Sequence, residues 1–492
     1  MSTDARGPAA PPASPRALPR RTVAQYAIGS LGTGGFATLP GLVLTYYLTD
    51  SLGVAAILAG VIVSAAKIWD VIIDPVIGAL TDRDLARHGT RRRLMLVGSL
   101  ALPVLFAVTF AVPPALGPIV GAIWVLVAFL LTATAFSLFQ VPYIALPAEL
   151  TESYDARTTL LTWRVVVLTF AILLFGAGGP LLRTVTGDPT TGYLVMGIVA
   201  GITIGVGMLI ATGAARHALA TRPVMEVAGS ATAAEAEFVA DEIAGTSGTT
   251  TDASPSAFGS GIRANYRAAI DALRRSQPFR ALLATFLLQA LATGLMLAGA
   301  QYLATWVLKS EDAVTFLFVA LIAPALFAAP GWGWLARRNG KERVFAVASI
   351  VFAIAALATV GAIWAPGAWI YLPVAFAGIA YAGMQSLPMA MLPDVIAHDA
   401  QRNGPGRAGA FGGVWTAGET TGFALGATAL SIVLAATGYI ASTAGESVTQ
   451  PATALTGIVI SFSVVPAALI AVSLVTLARY RLRRQDIESQ QD

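Results

Sequence analysis

The chain has 492 residues, of which 56% are hydrophobic and only 12% charged, with a formal net charge of +4 and no cysteine. Its mean hydropathy is +0.72, whereas a soluble domain carries about 25% charged residues. The composition therefore excludes an ordinary soluble enzyme, and the absence of cysteine excludes disulfides and thiolate metal sites.

In chain order, residues 1–23 are rich in Pro, Ala and Arg, lack a signal-peptide apolar core, and read as a cytoplasmic tail. A membrane helix needs about 20 apolar residues. By that measure six spans fall near 24–49, 54–81, 94–113, 119–147, 160–181 and 191–214, giving an N-terminal six-helix bundle over 24–214. The polar stretch 215–278 reads as a cytoplasmic linker with a flexible Ala, Glu, Ser, Thr and Gly middle. Its end, Ile262 to Ser276, carries Arg263, Arg267, Arg274 and Arg275 among apolar residues and predicts an amphipathic surface helix. Six further spans near 279–306, 313–336, 344–364, 368–393, 409–436 and 454–478 form a C-terminal bundle over 279–478, and 479–492 is a second cytoplasmic tail. The expected fold class is an all-α membrane protein of twelve transmembrane helices in two pseudo-symmetric bundles. Proline and glycine at Pro142, Pro147, Pro388, Gly294 and Gly383 predict bends in spans 4, 7 and 10.

Lysine and arginine set the orientation. Arg83, Arg87 and Arg91 to Arg93 follow span 2, Arg337, Arg338, Lys341 and Arg343 follow span 8, and Arg479, Arg481, Arg483 and Arg484 follow span 12. Basic residues concentrated in alternate loops place those loops, and both termini, in the cytoplasm of a cell inner membrane. The same placement explains the basic pI without a nucleic-acid partner. No Gly-x-x-x-x-Gly-Lys-Ser/Thr loop, Ser/His/Asp set or His-Glu-x-x-His run occurs, so neither an ATP-driven pump nor an enzyme is expected.

Chemistry concentrates in span 2. Lys67, Asp70 and Asp74 recur at i, i+3 and i+7 and share one helical face. A lone charge at the centre of a span costs roughly 3 kcal/mol or more. Two carboxylates in low dielectric resist joint ionisation unless a cation joins them. They can bind sodium through oxygen or carry a proton, and Lys67 can neutralise the empty site. Glu419 in span 11 and Arg164 in span 5 are further intramembrane charges, able to pair across a central cavity in one conformation. Gln140, Tyr143, Gln289, Gln301, Tyr302, Gln385 and Trp415 are further polar candidates, the amides for hydroxyl groups and the indole for a sugar ring face.

Gly78-Ala-Leu-Thr-Asp82-Arg83 at the end of span 2 is echoed by Gly331 to Lys341 at the end of span 8. This pair resembles the inter-helix loop motif of the major facilitator superfamily, with Gly78 for close packing and Asp82 and Arg83 as gating charges. The run Ile-Trp-Asp70-x-x-x-Asp74-Pro75-x-x-Gly78 resembles helix II of the glycoside–pentoside–hexuronide cation symporters. Thr45 to Asp50, Gln140-Val-Pro142-Tyr143 with Arg157 and Arg164, and Met391 to Ile396 with Arg407 carry the resemblance through both halves. It implies alternating access, cation-coupled symport of a sugar or glycoside, and no cofactor beyond a coupling sodium or proton. It implies that Asp70 and Asp74 hold the cation beside a Ser137 hydroxyl, and that Arg164 helps close the sugar site. Several positions depart from the pattern: Gly35 and Gln140 stand at aspartate positions, Ile144 at an aromatic, Ile73 at an asparagine and Thr420 at a lysine. These losses weaken galactoside binding and sodium coupling. A lysolipid or other amphiphile symporter, a proton-driven exporter of a small organic molecule, and a non-transporting scaffold are the alternatives. The expected partners are the small-molecule substrate, the coupling cation and the bilayer, around a monomer.

Overall fold

A computed structural model describes residues 18–151, 154–221, 273–403, 408–444, 446, 448–480 and 482. Twelve of its helices are long and apolar enough to cross a membrane. In chain order they are α1 (Arg20–Asp50), α2 (Ala56–His88), α3 (Arg92–Thr109), α4 (Gly117–Leu150), α5 (Tyr154–Thr184), α6 (Pro189–Thr221), α7 (Gln277–Tyr302), α8 (Ala313–Asn339), α9 (Lys341–Ala358), α10 (Tyr371–Asn403), α11 (Ala408–Ala436) and α12 (Ala452–Ala478). Every expected span coincides with one of them, although α2 runs seven residues and α10 ten residues past the expected ends at 81 and 393. The expected amphipathic helix and most of the linker and tails lie outside the described residues.

These segments become helices because nearly every residue is apolar and every backbone N–H and C=O must be paired internally where water is absent. Large apolar side chains such as Val104, Ile119, Phe327 and Leu372 are mostly exposed, where lipid would cover them. Pro142 and Pro147 sit inside α4, and Pro388 and Pro393 inside α10, yet each remains one continuous helix. α7 runs on through Gly294 and ends in a π turn, Leu303–Val307.

The packing repeats. In the first half α1 contacts α5 and α6, α2 contacts α4, and α3 contacts α4 and α6. The second half reproduces this with α7 against α11 and α12, α8 against α10, and α9 against α10 and α12. The halves meet through α2 with α11, its counterpart pair α5 with α8, and α1 with α7. Small residues permit the closest crossings. A Cβ on Gly294 of α7 would stand 2.7 Å from the Phe423 carbonyl of α11, and one on Gly422 2.6 Å from Ala290. With twelve crossings, the chain enters and leaves at the same end. Among the described residues, side-chain hydrogen bonds between halves lie towards the other, far end: Ser64 hydroxyl with Thr428, Thr315 with the Ala177 carbonyl at 2.9 Å, and Thr49 with Tyr302 at 2.7 Å.

Candidate functional site

The middle of α2 is fixed in rotation by Trp69, whose indole N–H donates to Thr134 Oγ1 of α4 at 2.9 Å. That anchor places the neighbouring charges in register. Lys67 Nζ lies 3.1 Å from Asp70 Oδ2, and its ammonium sits 5.9 Å from the centroid of the Phe36 ring on α1. The other carboxylate oxygen, Asp70 Oδ1, is buried without a hydrogen-bond partner. One turn on, Asp74 is exposed and lies near Ser137 of α4. Ser137 itself is buried. The structure thus places Lys67 in an ion pair with Asp70, and Asp74 one turn on near Ser137. The donor set is oxygen only, which suits a hard cation such as sodium or a proton. Ile73 adds no oxygen to it.

A second polar group in the first half joins α1, α4 and α5. Tyr143 is fully buried, donates from Oη to the Tyr26 carbonyl at 2.8 Å, and lies 3.0 Å from Ser30 Oγ. Its ring stacks on Tyr26 at 4.7 Å. The Arg164 guanidinium sits 5.6 Å from the centroid of the same ring. Arg164 Nε and the Tyr26 hydroxyl are buried without partners. Gln140, on the same helix, accepts from Thr33 Oγ1 at 2.8 Å. Gln140, Tyr143 and Arg164 therefore share one region, as the sequence suggests, while Tyr26 and Ser30 join them without any local sequence signal beyond their place near the start of α1.

Gly35, where related helices carry an aspartate, is closed by packing. A Cβ there would meet Ile204 and Phe175 at 2.7 Å each. No side chain reaches the interior from this position.

In the second half, Glu419 is half-buried near Tyr381 and Gln385. Thr420 is half-buried next to it. Trp415 differs from its expected role. It is 2% exposed and stacks on Phe286 at 4.3 Å with an interplanar angle of 18°, so neighbouring side chains cover the indole in this state. Arg164 and Glu419 belong to separate polar groups, one on Tyr143 and the other on Tyr381.

At the near end, Gly78 is half-buried, and a Cβ there would meet only Val141, at 3.9 Å. Arg83 is exposed, and the side chains of Asp82, Arg157 and Arg407 lie outside the described residues. Two ion pairs missed by sequence reasoning occupy matching places. Arg91, just before α3, pairs with Glu149 of α4 at 2.6 Å, and Lys341, opening α9, pairs with Asp394 of α10 at 2.6 Å. The signal was available in the repeat, since each joins the start of one span to the end of the next.

Comparison with known proteins agrees with this architecture. A family model described as MFS/sugar transport protein matches residues 25–235 and 243–484. The uncharacterized symporter YnaJ of Bacillus subtilis (strain 168) is 23% identical over 93% of this chain and 90% of its own length. The glucuronide carrier protein homolog of Escherichia coli (strain K12) is 26% identical over 32% of this chain and 35% of its own length. Alignments with the first curated relatives span between 29% and 39% of those proteins. Among solved structures, the partially occluded inward open xylose transporter XylE from E. coli superposes with a TM-score of 0.56 at 15% identity, covering 95% of this chain and 98% of that one.

Proposed function

Because this chain belongs to the MFS/sugar transport protein family, we propose that it is a secondary transporter that moves a sugar-like solute together with a cation by alternating access. The observation that carries the coupling is the α2–α4 cluster: Asp70 with one buried oxygen lacking a partner, and Asp74 exposed beside Ser137. A sodium ion or proton taken up there neutralises a carboxylate and releases Lys67 from sole responsibility for the charge balance. That lowers the cost of moving the loaded site through low dielectric. Sodium, if it is the ion, would be held by Asp70, Asp74 and Ser137.

The substrate side of this reading rests on Gln140, Tyr143 and Arg164 in the first half and on Glu419, Thr420 and Gln385 in the second. Amides and hydroxyls suit a polyhydroxylated solute. The Arg164 guanidinium, with Nε lacking a partner, suits an anionic one such as a sugar acid. With the termini in the cytoplasm, the closed far end is the outside, and the two bundles 24–214 and 279–478 are the rocking bodies. Gly78, Asp82 and Arg83 then stand at the inner gate. An amphiphile carrier is the second reading, favoured by the closed Gly35 position and by Ile144, which is 52% exposed and presents apolar surface.

The test is uptake into proteoliposomes under an imposed sodium or proton gradient, with labelled sugars, sugar acids and lysolipids, for wild type and Asp74→Asn. Gradient-driven sugar uptake that is lost in Asp74→Asn is the expected result. Lysolipid movement alone selects the amphiphile reading, and uptake unchanged in Asp74→Asn removes Asp74 from coupling.

A further inference from the structure

A second acid lies far from the α2 site and outside the transport reading above. Asp50 ends α1 at the far end of the molecule. Its Oδ1 accepts from Tyr439 Oη at 2.5 Å and from Trp306 Nε1 at 3.1 Å. Its Oδ2 accepts from Thr49 Oγ1 at 2.5 Å. Thr49 belongs to the first half, but Trp306 lies in the π turn that ends α7, and Tyr439 lies just after α11. A carboxylate of one half is therefore held by two donors from the other.

The surroundings reinforce this junction. Thr49 Oγ1 lies 2.7 Å from Tyr302 Oη of α7, and Tyr46 packs edge-on against Tyr302 at 5.1 Å. The backbone joins in: Ser442 N–H donates to the Thr49 carbonyl at 2.9 Å, Ala444 N–H donates to the Ser51 carbonyl at 3.1 Å, and Leu52 pairs with Thr443 as an antiparallel bridge. The charged neighbour is Arg183 of α5, which is buried, donates to Tyr193 of α6 at 3.0 Å, and reaches Glu311 of the second half at 3.0 Å. Burial, together with the Asp50 carboxylate, pushes the Tyr439 phenol upward. It stays protonated and serves as a donor.

We propose that Asp50 is the acceptor of a latch that locks the two halves together at the far end, and that this latch must break for the transporter to open there. An ionised carboxylate is acceptor-only, so it can take both cross-half donors at once. Hydrogen bonds to a charged acceptor are roughly twice as strong as neutral ones. Trp306 and Tyr439 pack edge-on against each other at 6.2 Å, so the two donors reach Asp50 as one aromatic pair from the second half. Packed interfaces of this kind are bistable, which makes a single acceptor able to set the balance between closed and open forms. The proposal rests on alternating access only in treating the far end as a gate.

The absence of cysteine from the chain allows a direct test. Spin labels at Ala115→Cys, in the α3–α4 connection, and Ala365→Cys, in the α9–α10 connection, report the far-end separation of the halves without substrate or ion. Both positions are exposed. Asp50→Asn and Tyr439→Phe should each shift the distance distribution to longer values. A distribution unchanged in both variants overturns the latch. If Asp50→Asn does not fold, Tyr439→Phe and Trp306→Phe decide the matter alone, and unchanged distances in both overturn it. Because the readout needs no transport, its failure is distinct from failure of the uptake assay.

Discussion

Asp74 and Gly35 show how single positions divide the chemistry of α2 from that of α1. Asp74 is exposed and lies near Ser137, so Ser137→Ala removes an oxygen from the proposed cation site while leaving the carboxylates. It should weaken the activating ion's apparent affinity several-fold without abolishing uptake at saturating ion, measured as the ion dependence of initial rate. At Gly35 the effect is steric. A Cβ would stand 2.7 Å from Ile204 and Phe175, and overpacking of a close-packed interior costs about 1–3 kcal/mol. Gly35→Ala should lower the Tm of the purified protein, and Gly35→Asp should lower it further rather than restore a sugar-binding acid. A Gly35→Asp variant of unchanged Tm would show that the α1–α6 packing yields.

Helix packing and capping carry the next level. α7 crosses α11 at Gly294 and Gly422, where a Cβ on Gly294 would approach the Phe423 carbonyl to 2.7 Å. Backbone cannot swing aside as a side-chain tip can, so Gly294→Ala should separate the pair and destabilise the second half by about 1–3 kcal/mol, seen as a lower Tm. Asp188, at the start of α6, accepts from the Thr191 N–H at 2.8 Å and from its hydroxyl at 2.5 Å. These hydrogen bonds hold its carboxyl below the usual carboxylate range. A depressed folded-state pKa gives stability that is present above the unfolded value, about 3.9, and lost as the pH falls through the folded one. Protection against hydrogen exchange at the first turn of α6, relative to the intrinsic rate at each pH, should therefore be constant near neutral pH and fall in acid, while Asp188→Ala shows the low protection at both.

At the scale of the whole molecule, coupling and orientation become measurable. If cation and solute share one cycle, each must raise the other's affinity by the same factor. Paired titrations should return a common factor above one in wild type and a factor of one in Asp74→Asn; a factor of one in wild type would separate the two sites. Orientation is open to labelling. Cysteines at Arg87 and Ser310, exposed at opposite ends, should react with a membrane-impermeant maleimide from opposite sides, Ser310→Cys from outside. The reverse pattern would invert the proposed topology.

The twelve spans were legible because a membrane helix is read from length and apolarity alone, and α1 to α12 needed no knowledge of their neighbours. The Lys67–Asp70 pair was legible too, since its i, i+3 spacing is a local property of one helix. The repeat in the ends of spans 2 and 8 anticipated the matched packing of the two halves. Other features depend on residues far apart in sequence. Trp415 carries the composition of a stacking platform, but only its packing against Phe286 decides that its face is covered. Gly35 looks like a missing acid until Ile204 and Phe175 fill the space. Asp50 reads as the end of a span, and only the return of Trp306 and Tyr439, 256 and 389 residues away, makes it a junction between halves. Sequence by itself determined the membrane, the number of crossings and the local charge pattern, because these follow from transfer free energies and helical geometry. Tertiary structure decided which polar groups meet, because contact between distant helices is set by packing that no local pattern encodes.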